Sequence, residues 1–374
     1  MNHCPYKGKK RWRTAVTALA FICLLFCLLS SGCKNPSMVY LDAFLPLTGA
    51  GSDIGVEVQD GIFLAVERIN REGGIQGRFL AVTIYDTKTD AAYAAGLFEK
   101  QLKSPPVLSL SCLSAVSKAI APIAESRCKI LLSLVTSDPE VTLDKKWIYR
   151  YWPTPENEAQ AFELLFNRIR PDKLALLYVD DEYGRSVSKT IQTITGKYPV
   201  EVMLFPYKTD NPVIPNLESA IRDSEAVLII GFPGHFKTLI REIRRISYPG
   251  VILANSAATK PDIRQMPEAE GVYVISSAIF NDYYKYADDV KKEFETGFMR
   301  PFNQYAANGY DAIMMVAGIM QEKGIDPEKV KEMFEGGFVY SGVHGTVKIK
   351  PKSQDIVFPH YAGKIENKKI IFLK

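Results

Sequence analysis

The sequence predicts an α/β protein of two domains, each built on a parallel-dominated sheet with helices on both faces. Short apolar runs rich in branched residues alternate along the chain with amphipathic segments of helical period, the pattern of βα units. Once a removable N-terminal segment is set aside, 342 of the 374 residues remain, more than one core usually serves. The remainder holds no low-complexity tract, no short internal repeat and no second long apolar run.

The N-terminal segment comes first. Lys7, Lys9, Lys10, Arg11 and Arg13 form a basic stretch without an acid, an apolar run follows over 15–29, and Ser30-Ser31-Gly32 leads to Cys33. The run is too short to span a bilayer comfortably, so the order reads as an export signal, with a retained signal anchor as the alternative. The end of the run resembles a lipobox, in which cleavage precedes a cysteine that then receives diacylglycerol. It departs at one position: Leu29 stands four residues before Cys33, and Ser30 takes the usual place of the leucine. Residues 1–32 are therefore expected to be a lipoprotein signal peptide and 33–38 a tether. Lipid on Cys33, at about 0.8 kcal/mol per buried methylene, would hold the mature protein on a membrane facing the periplasm or the cell exterior.

Removing that segment changes two global readings. Residues 1–32 carry five positive charges and no negative one, so the +4 of the whole chain becomes −1. The basic balance belongs to the signal and is no argument for nucleic-acid binding. Of six cysteines, Cys4, Cys23 and Cys27 leave and Cys33 is the lipid site. Cys112 and Cys128 flank a predicted helix over 115–126, about 18 Å long at 1.5 Å per residue. A disulfide needs Cα atoms within about 7 Å, so two free, buried thiols are expected. The four scattered histidines and the lack of a Cys-x-x-Cys give no metal site.

Strands are expected at 39–44, 81–85, 107–110, 130–134, 174–179, 200–205, 226–230, 251–254 and 271–276. Val58, Ile62, Ala65, Val66 and Ile69 recur at helical spacing before Gly73-Gly74 stops the helix. Further helices are expected over 161–169, 187–195, 213–221 and 237–246. Sheets of this kind bind ligands beyond the carboxyl ends of their strands, which makes the loops there the place to look.

After the first strand, Leu45 to Gly55 is rich in glycine and opens a helix, but no Gly-Lys-Ser/Thr makes it a Walker loop. Ser111-Cys112-Leu113-Ser114 and Thr136-Ser137-Asp138-Pro139 are hydroxyl-bearing turns at strand ends. Hydroxyls and free helix N–H groups suit a carboxylate or other oxyanion; plain N-capping by Ser114 and Ser137 is the competing reading. Asp180-Asp181-Glu182-Tyr183-Gly184 offers an aromatic at a strand end, beside acids that suit a solvated loop or helix-dipole partners. No Gly-x-Ser-x-Gly elbow occurs, and His235, His344 and His360 lie in separate segments without an evident nucleophile partner, so they read as structural or exposed. No catalytic residue and no cofactor is expected.

These stretches resemble the branched-chain amino-acid-binding (Leu/Ile/Val-binding) family of type I periplasmic binding proteins. The matching residues are Leu45-Pro46-Leu47-Thr48-Gly49, Gly61 with Ala65-Val66 and Ile69-Asn70, Gly73-Gly74-Ile75-Gln76-Gly77, Ala121-Pro122-Ile123-Ala124-Glu125, Thr136 to Glu140, Tyr183-Gly184, Gly271-Val272-Tyr273-Val274 and Tyr310-Asp311-Ala312. They run in family order over nearly the whole mature chain. The resemblance implies two Rossmann-like lobes joined by three crossovers, closing over a small solute that is handed to the membrane permease of an ABC transporter. It implies a first lobe of 39–154 plus 278–345 and a second of 155–277 plus 346–374. Ser114, Thr136 and Ser137 match the positions that hold the ligand carboxylate. Tyr183 matches an aromatic of the second lobe, Phe232 the aromatic of a Gly-Tyr-Pro-like turn, and Ile54 a position near the first loop. Amino-acid binders of this family place an acid after the strand at 251–254, to pair with the α-ammonium. Here that place holds Ser256, so either Asp53 or Asp181 substitutes or the ligand lacks the ammonium. A sensor of the same fold, signalling to a partner protein, is the alternative to a transport component.

Overall fold

The computed structural model describes residues 38–103, 106–277, 285–358 and 360–373. The expected signal peptide and Cys33 lie outside these residues. The chain builds a first sheet from β1 (Val39–Leu45), β2 (Leu80–Asp86), β3 (Ser109–Cys112), β4 (Leu131–Leu134) and β5 (Ile148–Tyr151), connected through α1 (Ser52–Arg71), α2 (Ala91–Gln101) and α3 (Ser114–Ser126). All neighbours are parallel, in the order β2-β1-β3-β4-β5. Alternation along β1 explains the two cores of this lobe. Leu41, Ala43 and Leu45 pack with Val58 and Ile62 of α1, whereas Phe44 faces the other way onto Phe98 and Val116.

The chain then builds the second lobe from α4 (Pro155–Ile169), β6 (Lys173–Val179), α5 (Glu182–Thr195), β7 (Glu201–Tyr207), α6 (Leu217–Ile221), β8 (Ala226–Ile230), α7 (Pro233–Arg245), β9 (Val251–Ala254), α8 (Pro261–Arg264) and β10 (Tyr273–Ser277). It returns to the first lobe through α9 (Lys285–Phe298), α10 (Gln304–Lys323) and α11 (Pro327–Gly336), followed by an antiparallel sheet of β11 (Phe338–Gly342), β12 (Gly345–Ile349) and β13 (Ile356–Val357). It ends in the second lobe with β14 (His360–Glu366) and β15 (Lys369–Phe372). The second sheet has seven strands in the order β15-β14-β10-β9-β8-β6-β7, parallel from β10 to β7 and antiparallel at β14 and β15.

Glycines set the seam between α1 and α10. A Cβ on Gly61 would stand 2.0 Å from the Ala306 carbonyl oxygen, and one on Gly309 would stand 2.2 Å from that of Val58. Two bare backbones therefore touch, bringing buried Ile62 and Ala65 against Ala306 and Ile313 in one core. Asn308, wholly buried on α10, donates from Nδ2 to the Tyr151 carbonyl at 2.6 Å, tying the returning helix to the end of β5.

Several expectations need correction. The third strand lies two residues later than expected. The helix expected over 213–221 is only the short α6, because Asn216 takes a left-handed conformation before it (φ 52°). The first lobe does not end at 345: Ile349, Ile356 and Phe358 belong to its core, and Asp355 pairs with the buried Arg150. Among the described residues Cys112 and Cys128 are both unbonded, but only Cys112 is buried. Cys128 sits in the exposed turn that ends α3, with φ 52°. Among the described residues no helix is long and apolar enough to cross a membrane.

Candidate functional site

Nine parallel strands point their carboxyl ends at one cavity of about 310 Å3. The loops after β1 to β5 contribute Gly51, Thr89, Leu113, Ser114, Val135, Ser137 and Trp152. Those after β6 to β9 contribute Asp181, Tyr183, Thr209, Phe232, Asn255 and Ser256. The volume suits a small organic solute.

The first-lobe wall is rich in proton donors. α3 starts after Leu113 with no side-chain cap, so the first-turn N–H groups of Ser114, Ala115 and Val116 have no intrahelical acceptor. All three residues line the cavity, and the positive end of the helix dipole favours an anion there. Ser114 Oγ accepts from the N–H of Ser137 (3.2 Å) and of Asp138 (3.4 Å), which leaves its own proton to donate. Leu113 (φ 74°, ψ 147°) and Val135 (φ 46°) both hold positive φ at the ends of adjacent strands, and both line the cavity. Such conformations cost on the order of 1–3 kcal/mol each and gather at ligand clamps.

Arg150 braces this wall from behind. Its guanidinium is wholly buried and donates to the carbonyls of Ser137 (3.1 Å) and Asp138 (2.8 Å), to Thr142 Oγ1 (2.5 Å) and to Asp355 Oδ1 (2.9 Å). The turn that offers its N–H groups to Ser114 is thus fixed through its carbonyls.

The second-lobe wall offers acceptors. Asp181 caps α5, accepting from the Gly184 N–H at 2.8 Å. Burial pushes its carboxyl above the ordinary range, against the pull of that N–H and of Arg185. Among the described lining residues it alone carries a charge. Asn255 is buried, donates from Nδ2 to Tyr183 Oη, and keeps Oδ1 without a partner. Tyr183 stacks on Phe232 at 5.6 Å and 24°. Behind them His235 donates from Nε2 to the Thr209 carbonyl (3.0 Å) and accepts at Nδ1 from the Phe232 N–H (3.3 Å). Burial holds this imidazole below its usual pKa, so it is neutral at pH 7 and fixes the Phe232 turn. Trp152 and Tyr305 form a second stacked pair, at 5.8 Å and 16°.

Of the residues singled out from sequence, Ser114, Ser137, Tyr183, Phe232, Ser256, Ile54 and Asp181 share this cavity wall. Thr136 does not reach it. Its hydroxyl is wholly buried, donates to the Leu134 carbonyl at 2.9 Å and meets Ser117 Oγ at 3.0 Å. Asp53 is exposed on the first turn of α1, outside the wall. Capping by Ser114 and Ser137 is likewise absent: Leu113 and Asp138 hold the cap positions. His344 is buried against Asp311 at 2.9 Å, and the side chain of His360 lies outside those described. Sequence reasoning missed Trp152 and Tyr305, which come from a crossover and from the start of α10. An aromatic beside an element end was their only local signal.

Comparison with known proteins places this geometry. A family model described as periplasmic binding protein matches residues 43–369. The chemotactic signal transduction system substrate-binding protein BasB of Halobacterium salinarum is 28% identical over 231 residues, 59% of this chain and 56% of that protein, so the match spans little more than half of the relative. A branched-chain amino acid transporter substrate-binding protein from Streptococcus pneumoniae, solved with isoleucine, superposes with a TM-score of 0.80 at 17% identity, covering 90% of this chain and 100% of that one. A solute-binding protein from R. palustris, solved with benzoate, gives 0.82 at 14% identity over 90% and 96%.

Proposed function

We propose that this chain, which belongs to the periplasmic binding protein family, is the extracytoplasmic substrate-binding component of an ABC importer. It captures a small carboxylate-bearing solute, a branched-chain amino acid or a related acid or amide, by closing two lobes over it. The observation that carries this reading is the polarity of the cavity: donors gather on the first lobe and acceptors on the second. The carboxylate meets the Ser114 hydroxyl, the first-turn N–H groups of α3 and Ser137. The apolar body lies against Ile54, Tyr183 and Phe232, with Trp152 and Tyr305 beside them. An N–H donor of the solute meets Asp181 and Asn255 Oδ1, with Ser256 alongside. A desolvated ammonium without a carboxylate would cost several kcal/mol; Asp181 supplies the charge that Ser256 lacks.

Like its family, the protein binds solute and does not transform it. A ligand shifts the open–closed balance only through contacts that differ between the two states, and a solute spanning both walls makes such contacts. The reading includes lipid on Cys33, which keeps the protein beside its permease.

Calorimetric titration with leucine and with 4-methylpentanoate, the same acid without its amine, tests this. Leucine binding that is lost in Asp181→Ala and kept in Ser256→Ala assigns the ammonium to Asp181. Preference for the amine-free acid, insensitive to Asp181→Ala, assigns a simple carboxylate. Binding of neither, together with a co-purified solute that mass spectrometry identifies as lacking a carboxylate, overturns the reading.

One observation favours a second reading, a ligand sensor of the same fold that signals to a partner protein. It is the similarity to a relative named for chemotactic signal transduction. Recovery of a receptor, and no permease, with the tagged protein in detergent extracts would select it.

A further inference from the structure

Lys118 and Glu182 lie outside the cavity wall, yet each is one step from it. Lys118 is a turn beyond Ser114 on α3, and Glu182 follows Asp181 at the start of α5. Lys118 Nζ stands 3.0 Å from Glu182 Oε2, 2.7 Å from Glu140 Oε2 and 3.5 Å from Asp138 Oδ2. Glu140 and Asp138 belong to the first lobe and Glu182 to the second, so one ammonium joins the two donor and acceptor walls.

We propose that Lys118 and Glu182 form a positioning latch that biases the two lobes toward closure before any solute arrives. The inference rests on the two-lobe reading above. Its chemistry is that of a reversible contact. When the lobes part, Lys118 keeps Glu140 and Asp138, and Glu182, with 42% of its side-chain surface already exposed, passes into water. No buried charge is stranded in the open state, so opening stays accessible. Among the described residues a second interlobe pair is of a different kind. Lys260 Nζ and Glu57 Oε1 are 2.7 Å apart, with side chains only 10% and 12% exposed, and Thr259 Oγ1 donates to Gln304 Oε1 at 3.1 Å beside them. Little solvent reaches that pair, so salt screens it weakly, and Lys118–Glu182 is the interlobe contact that salt releases. A half-exposed pair is weak and salt-screened, which suits a bias on an equilibrium between two states of similar free energy.

The test uses the full mature chain without solute, so its outcome does not depend on which solute the cavity takes. Small-angle scattering is recorded in about 20 mM and about 1 M NaCl, where the screening length falls from tens of ångströms to a few. The wild type is expected to expand in high salt. Glu182→Gln and Lys118→Met are expected to show the expanded radius in both salts, the double variant matching either single one. The open-to-closed ratio should shift roughly two- to fivefold, the range for an exposed pair. Glu182→Lys, which sets two cations together, should open the protein further. Thermal unfolding of Glu182→Gln is followed in parallel, and an unchanged midpoint separates loss of the latch from loss of folding. A Glu182→Gln protein that remains as compact as the wild type in low salt, or that still expands with salt, would overturn the proposal. In a second arm, leucine titration should weaken by the same factor in both single variants; if leucine does not bind, the scattering result stands by itself.

Discussion

Replacing Arg150 with lysine keeps the charge and removes the fork. The guanidinium reaches four acceptors at 2.5–3.1 Å from a wholly buried position. A lysine ammonium is a point donor and can keep about two of them. Two lost hydrogen bonds from a charged donor, at about 1.5–3 kcal/mol each, predict a destabilisation of about 3–6 kcal/mol. For a lobe-sized domain, at about 2–4 °C per kcal/mol, the midpoint should fall by roughly 10 °C. Urea unfolding followed by tryptophan fluorescence reads this lobe directly, because Trp147 and Trp152 are the only tryptophans after residue 12 and both pack on the first-lobe core. Leucine binding should weaken as well, since the Ser137 and Asp138 carbonyls that hold the Ser114 turn lose their brace. An Arg150→Lys protein within about 0.5 kcal/mol of wild type, the spread of ordinary surface substitutions, would refute the argument.

Other perturbations have equally definite signs. Gly61→Ala sets a methyl against the backbone of α10 and should cost about 3 kcal/mol, the upper end of overpacking, whereas Gly96→Ala, with open space around it, should be neutral or stabilising by up to about 1 kcal/mol; thermal melts compare the two. Burial pushes Asp42 up to about 6 from an ordinary value near 3.8. The native state then holds the proton more tightly than the unfolded one, so stability falls as pH rises through this window and the penalty is complete above it. Asp42→Asn should therefore gain about 1–2 kcal/mol at pH 7.5, after discounting the shift for solvent reach, and nothing below pH 4, as urea midpoints at the two pH values would record. A thiol reagent should label Cys128 in the native protein and Cys112 only on unfolding, read by counting modified sites by mass.

The alternation of strands and helices was legible because apolar periodicity is local. β5 was not: Ile148-Tyr149-Arg150-Tyr151 carries a charge at its centre, and only Asp355, far along the chain, makes that charge tolerable in a core. β12 escaped the lobe boundary for the same reason, its partners being distant. In the site, the strand-end rule found Ser114, Ser137, Tyr183 and Asp181. It could not tell Thr136 from its neighbours. Side chains at the end of β4 alternate, so Val135 and Ser137 face the cavity and Thr136 faces Ser117. Trp152 and Tyr305 meet only through tertiary packing, which no local pattern encodes.

The return of the chain to the first lobe between β10 and β14 has a consequence for its biogenesis. A chain emerging with its N-terminus first cannot finish either lobe in order of synthesis. The first lobe lacks α10, which packs on α1 and ties to the end of β5, until residue 323 has appeared. The second lacks β14 beside β10 until residue 366. Contacts so distant in sequence are slow to form and leave sheet edges open meanwhile. Both lobes should therefore complete almost together, late in emergence, and the nascent chain should stay extended enough for threading until its last strands arrive.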